Sequence, residues 1–332
     1  YWTVEAAVKK GNSTFEASLT KVNGKKPKLT TKEQTDEVLE ACKDQPFIAS
    51  SITKRKKKRP PKLPFTTSTL QQEASTKLGY GARKTMSIAQ KLYEGVDLGG
   101  STTGLISYMR TDSTRLSPLF VTDTENYIAS EYGSEYKGTA HEKNSTTAQD
   151  AHEAIRPTDI THTPESVKPY LTNEQFRLYS LIYARTLASL MADAVFDVTS
   201  AKFSCGPAEF SASGQTLVFD GYSKVYSKYE KQSNELLPAI KQGEEMKHVN
   251  IEGPQHFTEP PARYTEAKLL KELEEKSIGR PSTYALIIDT LQKRGYVNLE
   301  KTSETSKTKV FFPTEQGELT DTKLQEYFNS VI

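Results

Sequence analysis

Two stretches of β-type sequence lie far apart in this chain with a long helical stretch between them, and that order constrains the fold more than any other feature. From Trp2 to Leu19 apolar and polar residues nearly alternate, as in Phe15, Ala17 and Leu19, the period of a strand with one buried face. The pattern returns beyond Phe196 in Val198, Ala201, Phe203, Phe210, Ala212 and Leu217 to Phe219, as short segments broken by Gly206, Pro207, Gly214 and Gly221. If both pieces build one domain, the helical part from about Leu63 to Ala192 is an insertion held by two crossing strands, and an insertion so held can swing as a unit.

Within this frame Thr35, Val38, Leu39 and Cys42 space a short amphipathic helix. The run Lys54, Arg55, Lys56, Lys57, Lys58 and Arg59 before Pro60 and Pro61 cannot enter a core and reads as a solvated linker or hinge, with phosphate contact as the functional alternative. Thr67 or Ser68 can cap a helix carrying Leu70, Ala74 and Leu78, which Gly79 and Gly81 end, and Met86, Ile88, Ala89, Leu92 and Tyr93 give a second helix its apolar face. Short loops and small strands are expected around Leu105 to Met109, an exposed loop from Ser134 to Gln149, and a helix between Glu174 and Met191. Near the end, Ala267 to Leu273 and Pro281 to Gln292 read as helices, and Tyr296 to Leu299 with Val310 to Phe312 as a two-stranded wing, together a winged-helix unit.

A length of 332 residues calls for two or more structural units, and 35% hydrophobic with 26% charged residues describes a polar globular chain without a membrane-spanning run. Net charge is only +2, so the uneven placement of the basic residues carries more information than their sum. Cys42 and Cys205 form no metal-type pair and read as packing residues of a reducing, intracellular compartment. The chain starts at Tyr1 without a leader and ends on a part-finished amphipathic pattern at Leu324, Tyr327 and Phe328, and reads as a piece of a longer protein.

The chemistry centres on Tyr108-Met109-Arg110-Thr111-Asp112-Ser113, which sets a phenol two residues from a guanidinium in a loop after an apolar strand. A tyrosine can attack phosphorus, but its phenol, with pKa about 10, needs help. Arg110 can supply it by binding nonbridging phosphate oxygens and stabilising developing charge, and Asp112 can orient Arg110. On residues alone, Tyr-x-Arg has a structural explanation too. The stretch Gly79 to Thr85 imitates a nucleotide-binding loop but has Arg83 where glycine should precede Lys84, and His152-Glu153 lacks the second histidine of a zinc site because Arg156 stands there.

Tyr108 to Ser113 resembles the active-tyrosine motif of bacterial type IA DNA topoisomerases, and neighbouring segments agree in order. Ser68-Thr69-Leu70-Gln71-Gln72, Ala74-Ser75 and Gln90-Lys91-Leu92-Tyr93-Glu94 resemble the helices before that tyrosine, and Ala151-His152-Glu153-Ala154-Ile155-Arg156-Pro157 resembles the second active-site loop. Pro261-Ala262-Arg263-Tyr264-Thr265-Glu266-Ala267 and Gly279-Arg280-Pro281-Ser282-Thr283-Tyr284-Ala285 resemble DNA-gripping segments. The resemblance implies an α/β (α+β) multidomain arch. It would comprise a β-rich hinge domain over 1–62 and 193–256, a helical gate domain over 63–192, and part of a winged-helix-like DNA-binding domain over 257–332.

It further implies ATP-independent relaxation of negatively supercoiled DNA, in which Tyr108 holds the 5′ end of a cut single strand as a phosphotyrosine. Arg110 and His152 would stand at the phosphate, with Asp112 and Glu94 completing the catalytic set. Arg156, Arg280, Ser282, Thr283, Arg294, Gln90 and Arg263 would contact DNA, and exposed Tyr264 and Tyr284 can stack on bases. Free N–H groups at a helix start favour phosphate near Arg280 and Ser282, although capping alone explains Ser282, and Arg294 can equally satisfy terminal carbonyls. The family also carries an amino-terminal domain whose Asp-x-Asp-x-Glu cluster holds Mg2+; no Asp-x-Asp occurs here, so no bound metal is expected and full relaxation by this chain alone is not. DNA is the expected partner, the chain is expected to be monomeric and to work in the cytoplasm at the nucleoid, and the rival reading is a noncatalytic single-strand binding module.

Overall fold

The computed structural model describes residues 1–138 and 152–331. The chain opens with strands β1 (Glu5–Lys10) and β2 (Ser13–Val22), then helix α1 (Lys32–Cys42), started by a reciprocal cap between Thr31 and Gln34, and strand β3 (Phe47–Arg59). Helix α2 (Thr67–Glu73) is capped by Thr66 rather than Thr67 or Ser68, and runs through a wide turn at Ala74–Leu78 before α3 (Ala82–Glu94). Short strands β4 (Val96–Asp97) and β5 (Thr102–Thr103) precede α4 (Pro118–Glu131), whose start Ser117 and Pro118 signal by side-chain cap and N1 proline. The one-turn α5 (Pro164–Val167) and the long α6 (Asn173–Ser189), capped by Thr172, complete this stretch.

Strands β6 (Ala194–Cys205) and β7 (Ala208–Phe219) follow, each longer than the short segments expected. Then come the one-turn α7 (Ser223–Tyr226), β8 (Glu245–Glu252), α8 (Glu266–Glu275) and α9 (Tyr284–Lys293). The antiparallel wing β9 (Val297–Lys301) and β10 (Lys309–Pro313) and the helix α10 (Glu315–Val331) end the described chain. Among the described residues no helix is long and apolar enough to cross a membrane.

The chain divides into two compact units. The first, 1–59 with 193–221 and 231–261, is a closed barrel in the order β1-β2-β7-β6-β3-β8. Closure leaves no free sheet edge. Val8, Phe47, Ala49, Phe203, Cys205 and Phe210 fill it, and α1 covers it with Thr35, Val38 and Cys42. The basic run is not a linker: Lys54 to Arg59 continue β3 and pair residue by residue with Thr199 to Ala194 of β6. The lysine side chains are exposed, as the sequence requires, but the partner strand satisfies their main-chain groups, and no local pattern reveals a partner so far away in sequence.

The second unit holds 60–192, 222–230 and 262–331. Its larger core uses Leu70, Leu92, Leu105, Ile106, Leu178, Leu181 and Ile182, all fully buried. The segment 222–230 was not expected here, and it makes the helical part more than an insertion on two strands. Its Tyr226 hydroxyl accepts from buried Arg185 of α6 at 2.9 Å, and the same guanidinium donates to the Leu63 carbonyl at 2.6 Å and covers the Phe65 ring. A smaller cluster of Ala82, Leu270, Leu273, Tyr284, Ile288 and Phe311 packs the winged-helix part against α3.

Candidate active site

Tyr108 sits in irregular chain rather than after a strand; Ile106 makes only an isolated bridge to Pro157. Gly104 brings the segment down onto the end of α3, where a Cβ would lie 2.7 Å from the Tyr93 carbonyl, and the Leu105 N–H donates to the Leu92 carbonyl. Ser107 then ties it to the second loop: its hydroxyl donates to the Ala154 carbonyl at 2.6 Å and accepts from the Arg156 N–H at 2.9 Å. On the far side Thr67 does the same work, donating to the Met109 carbonyl at 2.6 Å and accepting from the Thr111 N–H at 2.8 Å. The Tyr108 ring, half-buried, is thereby held at both flanks.

Two aromatic groups frame that ring. His152 lies 5.2 Å from it between ring centroids, and Tyr93 of α3 meets it edge-on at 5.4 Å. Sequence reasoning placed Tyr93 only on an apolar helix face; its neighbourhood with Tyr108 depends on the Gly104 approach, which no motif announces. Arg110 and Asp112 are exposed, and among the described residues no ion pair joins them, so Asp112 does not orient Arg110 directly. Asp112 lies instead within electrostatic reach of Tyr284, whose phenol burial pushes up, with Glu274 and Asp112 adding to the effect and Arg280 opposing it.

Arg156 is engaged already. Its Nε donates to Glu153 at 2.7 Å, Nη1 to the Pro157 carbonyl at 2.9 Å, and the guanidinium stacks over Phe120 at 4.4 Å. Glu153 also accepts from the Ser117 N–H at 3.0 Å, so the pair staples the second loop to the start of α4. Burial opposes ionisation of Glu153, but the Arg156 hydrogen bond and charge and the Ser117 N–H outweigh it, and its carboxyl sits below the usual range. Arg156 thus shapes the loop that presents His152 through Nε and Nη1, which leaves Nη2 as the part of its guanidinium without a protein partner among the described residues.

Gln90 and Glu94 share one face of α3, with the Gln90 amide donating to Glu94 at 2.6 Å. Arg280, Ser282 and Thr283 form the turn that enters α9. Gly279 opens it at φ +84°, the Thr283 hydroxyl accepts from the Arg280 N–H at 2.8 Å, and Ser282 is exposed without a capping bond. Arg294 is exposed at the other end of α9, and Arg263 covers the Phe312 ring at 4.8 Å. Tyr264 is exposed as expected, but Tyr284 is not available for stacking, because α9 turns it into the small core, where it is 7% exposed. The structure also joins the tyrosine loop to the carboxy-terminal part through α2: beside Thr67, the Ser68 hydroxyl donates to Glu274 of α8 at 2.8 Å.

For Mg2+ the donor set does not fit. Among the described residues no three His, Cys, Asp or Glu side chains gather to hold an ion.

The profile of the family described as DNA topoisomerase matches residues 1–332. The fold is similar to that of full-length topoisomerase I from Thermotoga maritima, with a TM-score of 0.82 and 35% sequence identity over 100% of this chain. The match covers 52% of that protein, so this chain spans about half its length. A tyrosine loop pinned between two helices and a histidine loop, within a family match across the whole sequence, leads to one conclusion: the chain belongs to the type IA DNA topoisomerase family.

Proposed function

We propose that Tyr108 is the nucleophile of a strand-passage reaction that relaxes negatively supercoiled DNA. The observation that carries this reading is the ring of Tyr108, partly open to solvent beside His152 and fixed on both sides by Thr67 and Ser107. Fixing the attacking group in advance lowers the entropic cost of the transition state. The Tyr108 oxygen forms a bond to a backbone phosphorus as the bond from phosphorus to the 3′ oxygen breaks. The phenolic proton leaves and the 3′ oxygen gains one, and we assign the relay to His152, whose ring lies 5.2 Å from that of Tyr108. Exposed Arg110, two residues on, offers paired donors to the nonbridging oxygens. One phosphodiester replaces another, so resealing needs no nucleotide.

Arg280, Ser282 and Thr283 at the α9 entry, with Arg294 and Arg263, are proposed to grip the single strand, since most of these groups face solvent in a part packed on the helices of the tyrosine loop. The magnesium implied by the family resemblance would have to be held by residues other than these, and relaxation by this chain alone is not expected. One copy acting on chromosomal DNA in the cytoplasm is the corresponding setting. The test is covalent capture. The chain joined to the family's amino-terminal domain, given single-stranded DNA and Mg2+ and then denatured, is expected to yield a protein–DNA adduct that Tyr108→Phe removes. Tight binding without an adduct would favour a noncatalytic single-strand binding module instead.

A further inference from the structure

We infer that Cys42 and Cys205 form an oxidisable dithiol, at which a small oxidant closes a disulfide inside the barrel between the end of α1 and the end of β6. Both residues are fully buried and reduced, and each thiol donates to the main-chain carbonyl of the other at 3.6 Å. Reciprocal contacts of this kind turn each side chain toward the other residue, the first condition for a bridge. A buried cysteine ordinarily serves as a small apolar filler. Here two of them, 163 positions apart, each set their sulfur against the other's main chain, and His248 stands beside them with Nε2 3.2 Å from the Cys42 carbonyl. Among the described residues no third ligand turns the pair into a metal site.

The two thiols are not equivalent. A hydrogen bond from Cys205 holds Cys42 below the ordinary thiol value, and the same pairing together with burial pushes Cys205 up. Cys42 is taken as the attacking sulfur because it is the last residue of α1, where the chain opens most readily. With a diazene such as diamide, the Cys42 thiolate adds to the N=N bond and that nitrogen pair takes up a proton. Cys205 then attacks the Cys42 sulfur, and the reagent leaves as a hydrazine carrying both hydrogens; the thiols are oxidised and the diazene reduced. A small disulfide does the same by two exchanges, releasing two thiols. Access comes through α1, since Cys42 is its last residue and helix ends open locally at little cost.

The position gives the bond a consequence. Cys42 ends α1 just before β3 and Cys205 ends β6, so the bridge would close a loop that contains β3, residues 60–192 and β6. A loop this long constrains the unfolded chain strongly when closed, and the oxidised protein is expected to melt later than the reduced one.

The 332-residue protein, folded, is treated with diamide, denatured, capped with a maleimide, and mapped by mass spectrometry, with melting followed in parallel. Expected are a Cys42–Cys205 linked peptide, an uncapped chain lighter by two hydrogens, a melting midpoint raised by several degrees, and reversal of all three by dithiothreitol. Cys42→Ala and Cys205→Ala should each abolish the diamide-dependent rise. Two maleimides on the treated chain, linkage between separate chains, or a rise that survives in either variant overturns the inference. The peptide map of the unsubstituted protein decides the matter even if a variant does not fold.

Discussion

The six-stranded barrel holds its shape through main-chain ladders closed around Phe15, Phe47, Phe203 and Phe210, whereas the segment carrying Tyr108 has almost no ladder and hangs on the side chains of Thr67, Ser107 and Glu153. The barrel spreads its stability over many equivalent contacts. The tyrosine loop concentrates its order in a few side chains, of which Thr67 and Ser107 each hold two or more main-chain groups. An active segment needs both a fixed ring and an open face, and a strand in a closed sheet offers the first without the second. Single side-chain anchors allow both.

The largest effect separating the two regions should come from Phe203→Ala. It leaves a cavity among Phe15, Phe47 and neighbouring side chains, and is expected to cost about 3–5 kcal/mol in denaturant unfolding. A much smaller loss would mean that the barrel is not the stable base this comparison supposes. Next comes Thr67→Val, which keeps the shape but strips the Met109 carbonyl and the Thr111 N–H of their buried partner. We expect about 1–3 kcal/mol of stability and a disproportionate fall in adduct formation, since the ring it aims is Tyr108. Equal losses of adduct from Phe203→Ala and Thr67→Val, at matched stability, would erase the distinction.

The Glu153–Arg156 staple should show itself through pH. The folded-state carboxyl titrates below its unfolded value, so its contribution is complete above the unfolded pKa, about 4.3 for glutamate, and is lost as pH falls through the folded one. The melting difference between the protein and Glu153→Gln should therefore shrink as pH drops below about 4; a difference that grows there would reverse the assignment. Smallest of all, Lys57→Ala should change stability by no more than about 0.5 kcal/mol, because Lys57 is exposed while its backbone stays paired opposite Phe196. A clear loss would show that the basic strand does more for the barrel than its ladder.

The sequence by itself determined the elements whose signals are local: the periodicity of α1, α3 and α6, the wing, and the Tyr108 motif with its histidine loop. Signals were also present for α4 in Ser117 and Pro118, although they are easily passed over without a strong apolar period. Tertiary structure alone decided what depends on a distant partner. Lys54 to Arg59 became strand because β6 supplies their hydrogen bonds; Tyr284 went inside and Arg156 was taken up by Glu153; Tyr93 met Tyr108 because Gly104 lets two backbones touch. Residue type and spacing report what a segment can satisfy on its own. Barrel closure, burial and pairing are settled by groups brought close only when the chain folds, and these decide which of the candidate residues remain free to act.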